Sequence, residues 1–110
     1  MKEDNAFSCS IADEFVLPND EDFELLASFF YLFSDATRLK IIHLLRKEEL
    51  CVHELSTILN IKQPSISQHL KLLHQGKILQ KRKLGLHVFY SLKDEHISKI
   101  YKQGYKHVKE

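Results

Sequence analysis

The 110-residue sequence predicts a mainly α-helical domain carrying one small β-hairpin. Three observations lead there. Apolar residues recur at helical spacing over most of residues 19–75. Pro64 and Gly76 bracket one helix as a starter and a stop. The pattern then switches to strand-like runs around Gly85.

Each element follows in order. Residues 1–18 have no clear period and end at Pro18, so they read as an N-terminal arm, with 19–110 as the folded domain. Asn19 or Asp20 can cap a first helix, and the acids in its first turn suit the helix dipole. Phe23, Leu26, Ala27, Phe30 and Tyr31 form its stripe, while Phe29, Leu32 and Phe33 make it apolar on more than one side. Such a helix packs both on its own core and on a partner. Ser34 or Asp35 caps the next helix, with Leu39, Ile42, His43 and Leu44 or Leu45 inward. After a polar break at 47–49, residues 52–59 form a short helix with Leu55 and Leu59 inward. A turn at 60–63 leads into the Pro64 helix, which runs to about Gln75. Residues 78–83 and 86–92 pair across the 84–85 turn as a hairpin with a basic tip. Asp94 caps a last helix that runs to the end.

Composition bounds the function. The chain is 44% apolar and 28% charged, as ordinary globular proteins are. A chain of this size buries only about two thirds of its unfolded surface, so dimerisation would be a natural supplement. Three Gly and two Pro exclude a loop-dominated chain. The longest nearly apolar run, residues 25–33, is too short for a bilayer, and Glu3 and Asp4 do not suit a signal peptide, so no membrane association is expected. Cys9 and Cys51 do not make a disulfide framework, which points to reduced thiols and a cytoplasmic location.

The net charge of +1 hides a segregation. Residues 1–35 hold nine acids and one base, whereas residues 55–93 hold seven Lys or Arg and no acid. A local basic surface on a near-neutral protein is what an anion-binding face looks like. A short helix, a tight turn, a longer helix and a basic hairpin make a winged helix-turn-helix pattern. On the longer helix Ile66, Leu70 and Leu73 share one face, opposite Pro64, Ser67, Gln68, Lys71 and Gln75. Gln pairs bidentately with adenine, and Ser bonds bases or phosphates. The candidate DNA contacts are Gln63, Ser65, Ser67, Gln68 and Lys71 on the helix and Lys81, Arg82 and Lys83 on the wing, where the bases suit phosphate. His87 is a further wing group near phosphate, whereas His43, His69 and His74 read as surface or partly packed side chains.

Three segments, SDATRLKI (34–41), ELCVHEL (49–55) and QPSISQHLKLL (63–73), resemble the ArsR/SmtB family of bacterial metal-responsive repressors. The resemblance covers about residues 23–110, with Ala36 where the family usually has Pro. It implies a homodimer, joined through the first and last helices, that binds an inverted repeat in double-stranded operator DNA. On that model Gln63, Ser67 and Gln68 read bases in the major groove. Successive major grooves require the two reading helices to sit about 34 Å apart.

The last helix carries Asp94, His96, His107 and Glu110. His96 and His107 lie on one side of the helix but about 16 Å apart, too far for one ion with ligands at about 2 Å. An antiparallel helix pair would bring the Asp94/His96 end of one chain to the His107/Glu110 end of the other, giving two equivalent sites per dimer. On residue grounds alone, the stripe reads equally as a capping Asp with solvated His and Glu. The resemblance implies the metal, because the family has a site of this Asp-x-His and His-x-x-Glu pattern on its last helix. Two imidazoles and two carboxylates suit Zn(II), with Co(II) as a surrogate and Ni(II) as an alternative. Beside the stripe, Ile97, Ile100, Tyr101, Tyr105 and Val108 form an apolar seam around Gly104.

The expected function is therefore a zinc-responsive repressor whose metal-free dimer holds DNA and whose zinc-bound dimer releases it. The alternative is a thiol-based redox or soft-metal (Cd, Pb) repressor using Cys9 and Cys51, with His53 and Glu54 as further candidates in a second site. The family's soft-metal pattern has a second Cys where His53 stands, which disfavours arsenic. No enzyme is expected. Cys51 and His53, two apart on a helix, point away from each other as a nucleophile–base pair, and no phosphate loop or small-molecule substrate site is evident.

Overall fold

The computed structural model describes residues 11–110. Its elements are α1 (Asp20–Tyr31), α2 (Ala36–Leu45), β1 (Leu50–Cys51), α3 (Val52–Leu59), α4 (Gln63–Gln75), β2 (Leu79–Leu84), β3 (His87–Leu92) and α5 (Glu95–Lys109). From Asp20 onward, five helices and a three-stranded antiparallel sheet of order β1-β3-β2 make a winged helix-turn-helix fold. Of the arm, residues 11–18 are described. Ile11 and Ala12 are helical and run into a turn in which Glu14 N donates to Ile11 O at 3.1 Å, and all of 11–18 are exposed.

The caps follow the local chemistry of the sequence. The Asn19 side chain accepts from Asp22 N at 2.9 Å to start α1, and Asp35 accepts from Arg38 N at 3.0 Å to start α2. Helix α3 starts without a Ser, Thr, Asn or Asp cap. Glu54 Oε1 instead accepts from Cys51 N at 2.9 Å, the return half of a capping box. Asn60 takes the left-handed conformation, φ 56°, that lets the chain turn from α3 toward α4. Helix α4 ends in a Schellman motif. Ile78 N donates to Leu73 O and Lys77 N to His74 O, with Lys77 as the left-handed residue at φ 63°. The sequence assigns that stop to Gly76, whose φ is an ordinary −82°. Gly76 instead makes room for Leu32, whose terminal methyl would have to shift if a Cβ were added there.

The core joins all the helices except most of α1. Ile41, Ile42, Leu55, Ile66, Leu70, Leu73 and Ile78 are fully buried, and Leu79 and Ile97 nearly so. In α2 the core-facing residues are Ile41, Ile42 and Leu45, with Arg38 also buried. Leu39 and His43, expected inward, are half-buried and turn toward α5 instead. Helix α1 buries none of its twelve residues, and only its C-terminal end packs, through Phe29 and the following Leu32 and Phe33.

The hairpin turns at Gly85-Leu86, with Leu84 opposite His87. Gly85 has φ +64°, the positive value a two-residue hairpin loop requires at its first position. The tip is apolar rather than basic, with Leu84 and Leu86 exposed and the bases on the body of β2. Strand β1, which the sequence reading lacks, pairs with β3 as Leu50 opposite Tyr90 and Cys51 opposite Phe89. No described helix is long and apolar enough to cross a membrane.

Candidate DNA-reading face and metal-ligand positions

The α3–turn–α4 unit presents α4 on its own core. Ile66, Leu70 and Leu73 are buried, so Gln63, Ser65, Ser67, Gln68 and Lys71 project as an exposed, acid-free face. All five are among the residues expected to contact DNA. Pro64 near the start of α4 removes an N–H that no helical carbonyl would accept. Gln63 Nε2 lies 3.2 Å from His53 Nδ1, a contact that links the first residue of α4 to α3.

Besides its buried apolar face, α4 meets a residue to which the sequence assigns no role. Buried Arg38 donates from Nε to Leu32 O at 2.9 Å and from Nη2 to Tyr31 O at 3.3 Å. Its Nη1 lies 3.5 Å from His69 Nδ1, on α4. Asp35 Oδ2 is 3.9 Å from the same His69 nitrogen. The end of α1, the start of α2 and the middle of α4 thus meet at one guanidinium. Asp35 is held below its ordinary carboxyl pKa, first by the Arg38 N–H it accepts and also by the nearby His69 and Arg38 charges. A charged residue inside the apolar spacing of α2 was the available signal.

The wing bases do not act as one group. Lys81, Arg82 and Lys83 are consecutive on β2, so Arg82 points to the face opposite its two neighbours. Arg82 is held by Glu49, with Nη2 to Oε1 at 2.6 Å and Nε to Oε2 at 2.8 Å. This fork raises the Arg82 pKa and lowers that of Glu49, through the hydrogen bonds first and the charges second. Lys81 and Lys83 are exposed, whereas Arg82 is paired with Glu49 within the chain.

At the start of α5, Asp94 Oδ1 accepts from His96 N at 3.0 Å and lies 3.0 Å from His96 Nδ1. The cap therefore brings these two side chains together, which two positions apart within a helix would not do. His107 and Glu110 stand at the other end, both exposed, with Glu110 N donating to His107 O at 3.3 Å. Among the described residues, no three His, Cys, Asp or Glu side chains are close enough together to hold a metal ion.

The second candidate set is dispersed in the same way. Cys51 is buried in β1 as the N-cap of α3 and is not within the helix, as the sequence reading placed it. Glu54 is occupied by the cap and His53 faces Gln63. Cys9 lies outside the described residues.

Between α1, α2 and α5 runs an apolar groove of about 760 Å³, floored by Phe33, Leu39, Leu44, Ile100 and Tyr101 and reaching Tyr105 and Val108. His43 Nδ1 and Tyr101 OH, 2.8 Å apart, supply its one interior polar link among the described residues. Ile97, expected on the same apolar seam, is instead buried in the chain's own core.

A family model described as "Bacterial regulatory protein, arsR family" matches residues 35–81, the segment from the α2 cap to β2. The chain is 38% identical over 86 residues to a cadmium resistance transcriptional regulatory protein CadC homolog from Staphylococcus aureus, covering 77% of this chain and 71% of that one. The chain belongs to the ArsR family. It is also 31% identical over 85 residues to a transcriptional repressor SmtB homolog from Synechocystis, covering 77% of this chain but only 64% of that protein. The winged fold matches the homodimeric winged helix-turn-helix domain of Mb0332 from Mycobacterium bovis, with a TM-score of 0.77 at 18% identity over 86% of this chain and 91% of that one. These ArsR-family relatives are regulators of transcription, not enzymes.

Proposed function

We propose that this chain is one subunit of a homodimeric, cytoplasmic, metal-responsive repressor whose metal-free form binds an inverted repeat in operator DNA and whose zinc-bound form releases it. The observation that carries this reading is the pairing, on one chain, of an acid-free α4 face with an α5 that holds an Asp94–His96 pair at one end and His107 and Glu110 at the other. Gln63, Ser65, Ser67 and Gln68 are the base-facing residues, and Lys71, Lys81 and Lys83 are the phosphate contacts.

The apolar groove beside α1 and α5 supports a second copy of the chain as partner, since Phe30 lines it while exposed and α1 also leaves Phe23 and Leu26 exposed. An antiparallel pairing of α5 helices puts Asp94 and His96 of one subunit near His107 and Glu110 of the other. That donor set is two imidazoles and two carboxylates, which fits Zn(II), accepts Co(II) as a surrogate and tolerates Ni(II). A bound ion would supply a fixed link between four ligands, and so a preferred geometry for the two α5 helices. Coupling between sites is reciprocal, so operator DNA must weaken metal binding by the same factor as metal weakens DNA binding.

The alternative thiol-based reading finds Cys51 buried and both His53 and Glu54 engaged in other contacts. The test is His107→Ala. Operator binding should survive in the metal-free variant while zinc no longer releases the DNA. Zinc release that persists in the variant would remove α5 as the switch. Zinc release lost instead on Cys51→Ser would move the sensor to the thiol.

A further inference from the structure

We propose that His53 is a specificity-positioning residue, which orients the Gln63 carboxamide so that α4 reads adenine at the base pair Gln63 faces. The inference rests on the assignment of Gln63 as a base-facing residue and adds what decides its orientation.

Gln63 is the first residue of α4 and is exposed, the place on a reading helix from which side chains reach base edges. A free glutamine there has two faults. Its long side chain samples many rotamers, and its amide can flip to present oxygen and nitrogen in either order. The His53 contact addresses both. Gln63 Nε2 carries only donors, so the 3.2 Å contact with His53 Nδ1 is a hydrogen bond in the tautomer whose Nδ1 is free to accept. One Gln63 N–H is then spent on His53. The second N–H and the Oε1 lone pairs remain, in a fixed order. One donor beside one acceptor complements adenine N7 and N6, whereas the N7/O6 edge of guanine presents two acceptors.

The mounting of α3 on α4 does not depend on His53. Ser56 Oγ donates to Ile61 O across the turn, Ile61 N donates to Ser56 O at 3.1 Å, and Leu55 is buried in the common core. His53 itself is exposed. Removing its ring releases the amide and leaves the helix pair in place. The position thus acts in the reading of DNA and not in the fold.

The experiment is selection from a randomised DNA duplex library by the full chain, metal-free in chelator. Wild type, Gln63→Ala, His53→Leu and His53→Gln are compared, with helix content followed by circular dichroism. Gln63→Ala should erase an adenine preference at one position per half-site. His53→Leu should weaken the preference at that same position about two- to tenfold, with the salt dependence of binding unchanged. His53→Gln, whose amide oxygen can accept the same N–H, should restore it. A wild-type profile for His53→Leu, at a position that Gln63→Ala flattens, overturns the proposal. So does a uniform affinity loss that His53→Gln fails to rescue, because that would be a structural effect. If Gln63→Ala flattens no position, the base-reading assignment of Gln63 falls, and the proposal falls with it.

Discussion

Helices α4 and α5 are both amphipathic, yet the chain treats their apolar faces differently. Helix α4 spends its apolar face inside the subunit, with Ile66, Leu70 and Leu73 fully buried and the polar face left free. Helix α5 buries only Ile97, and Ile100, Tyr101, Tyr105 and Val108 line an open groove. The unit proposed to read DNA is therefore complete in one chain, while the unit proposed to sense metal needs another surface before its apolar side or its ligand set is closed. A regulator divided in this way can change the relation between two finished reading heads without remaking either of them.

The largest expected effect tests the first half of that contrast. Leu70→Ala removes a fully buried side chain from the middle of α4 and should cost about 2–5 kcal/mol, a large share of the stability of a small domain. A urea titration should show the midpoint falling sharply. A change within a few tenths of a kcal/mol would mean that α4 is not held by the core described here. The second half is tested by Tyr105→Glu on the open face of α5. Helix content should stay near wild type while sedimentation shows a shift from dimer to monomer, with operator affinity lost as well. A Tyr105→Glu protein that stays dimeric would place the interface elsewhere.

The same contrast explains how much was legible in the sequence. Most residues that meet partners in their own helix or hairpin were readable, Gly76 and the hairpin tip being the exceptions. The caps at Asn19, Asp35 and Asp94, the α4 face and the Gly85 turn all follow from spacing and side-chain chemistry a few residues away. What required distant contacts was not readable. Strand β1 is two residues long, too short to show a period, and exists because β3 offers it an edge. Arg38 has no role legible in the sequence, because the Tyr31 and Leu32 carbonyls and His69 come together around it only in the fold. Arg82 was grouped with its neighbours because charge is visible in a sequence and its Glu49 partner, 33 residues away, is not. The α5 ligand set was legible as residue types, but its assembly depends on a second helix.

The wing supplies a smaller effect. Lys71→Ala on α4 should reduce the slope of log affinity against log salt by about 1, the signature of one lost phosphate contact. Arg82→Ala should change that slope less, since its charge is already matched by Glu49. Glu49→Gln should then do the reverse, freeing Arg82 and steepening the slope. Equal slopes for Arg82→Ala and Lys71→Ala would show that the Glu49 fork opens on DNA and that all the basic residues work alike.

The smallest effect concerns acid. Asp35 starts α2 and lies beside the Arg38–His69 contact with α4, so its charge faces the reading unit. Its carboxyl is held below the ordinary value of 3.8, first by the Arg38 N–H. A carboxyl depressed in the folded state binds protons less readily there than in the unfolded chain. Its contribution to stability is thus fully present above about pH 4 and is lost as pH falls through the lower, folded pKa. Glu49, lowered by Arg82, acts in the same direction. Asp35→Asn keeps a side chain that can cap the helix but cannot titrate, so it should lose the carboxylate's share of stability at neutral pH and converge on wild type as pH falls, flattening part of the acid limb. The measurement is the urea midpoint between about pH 2.5 and 6, in wild type and in Asp35→Asn. An unchanged acid limb would mean that the carboxylate is as easily protonated folded as unfolded, and the junction of α1, α2 and α4 would then owe its order to Arg38 alone.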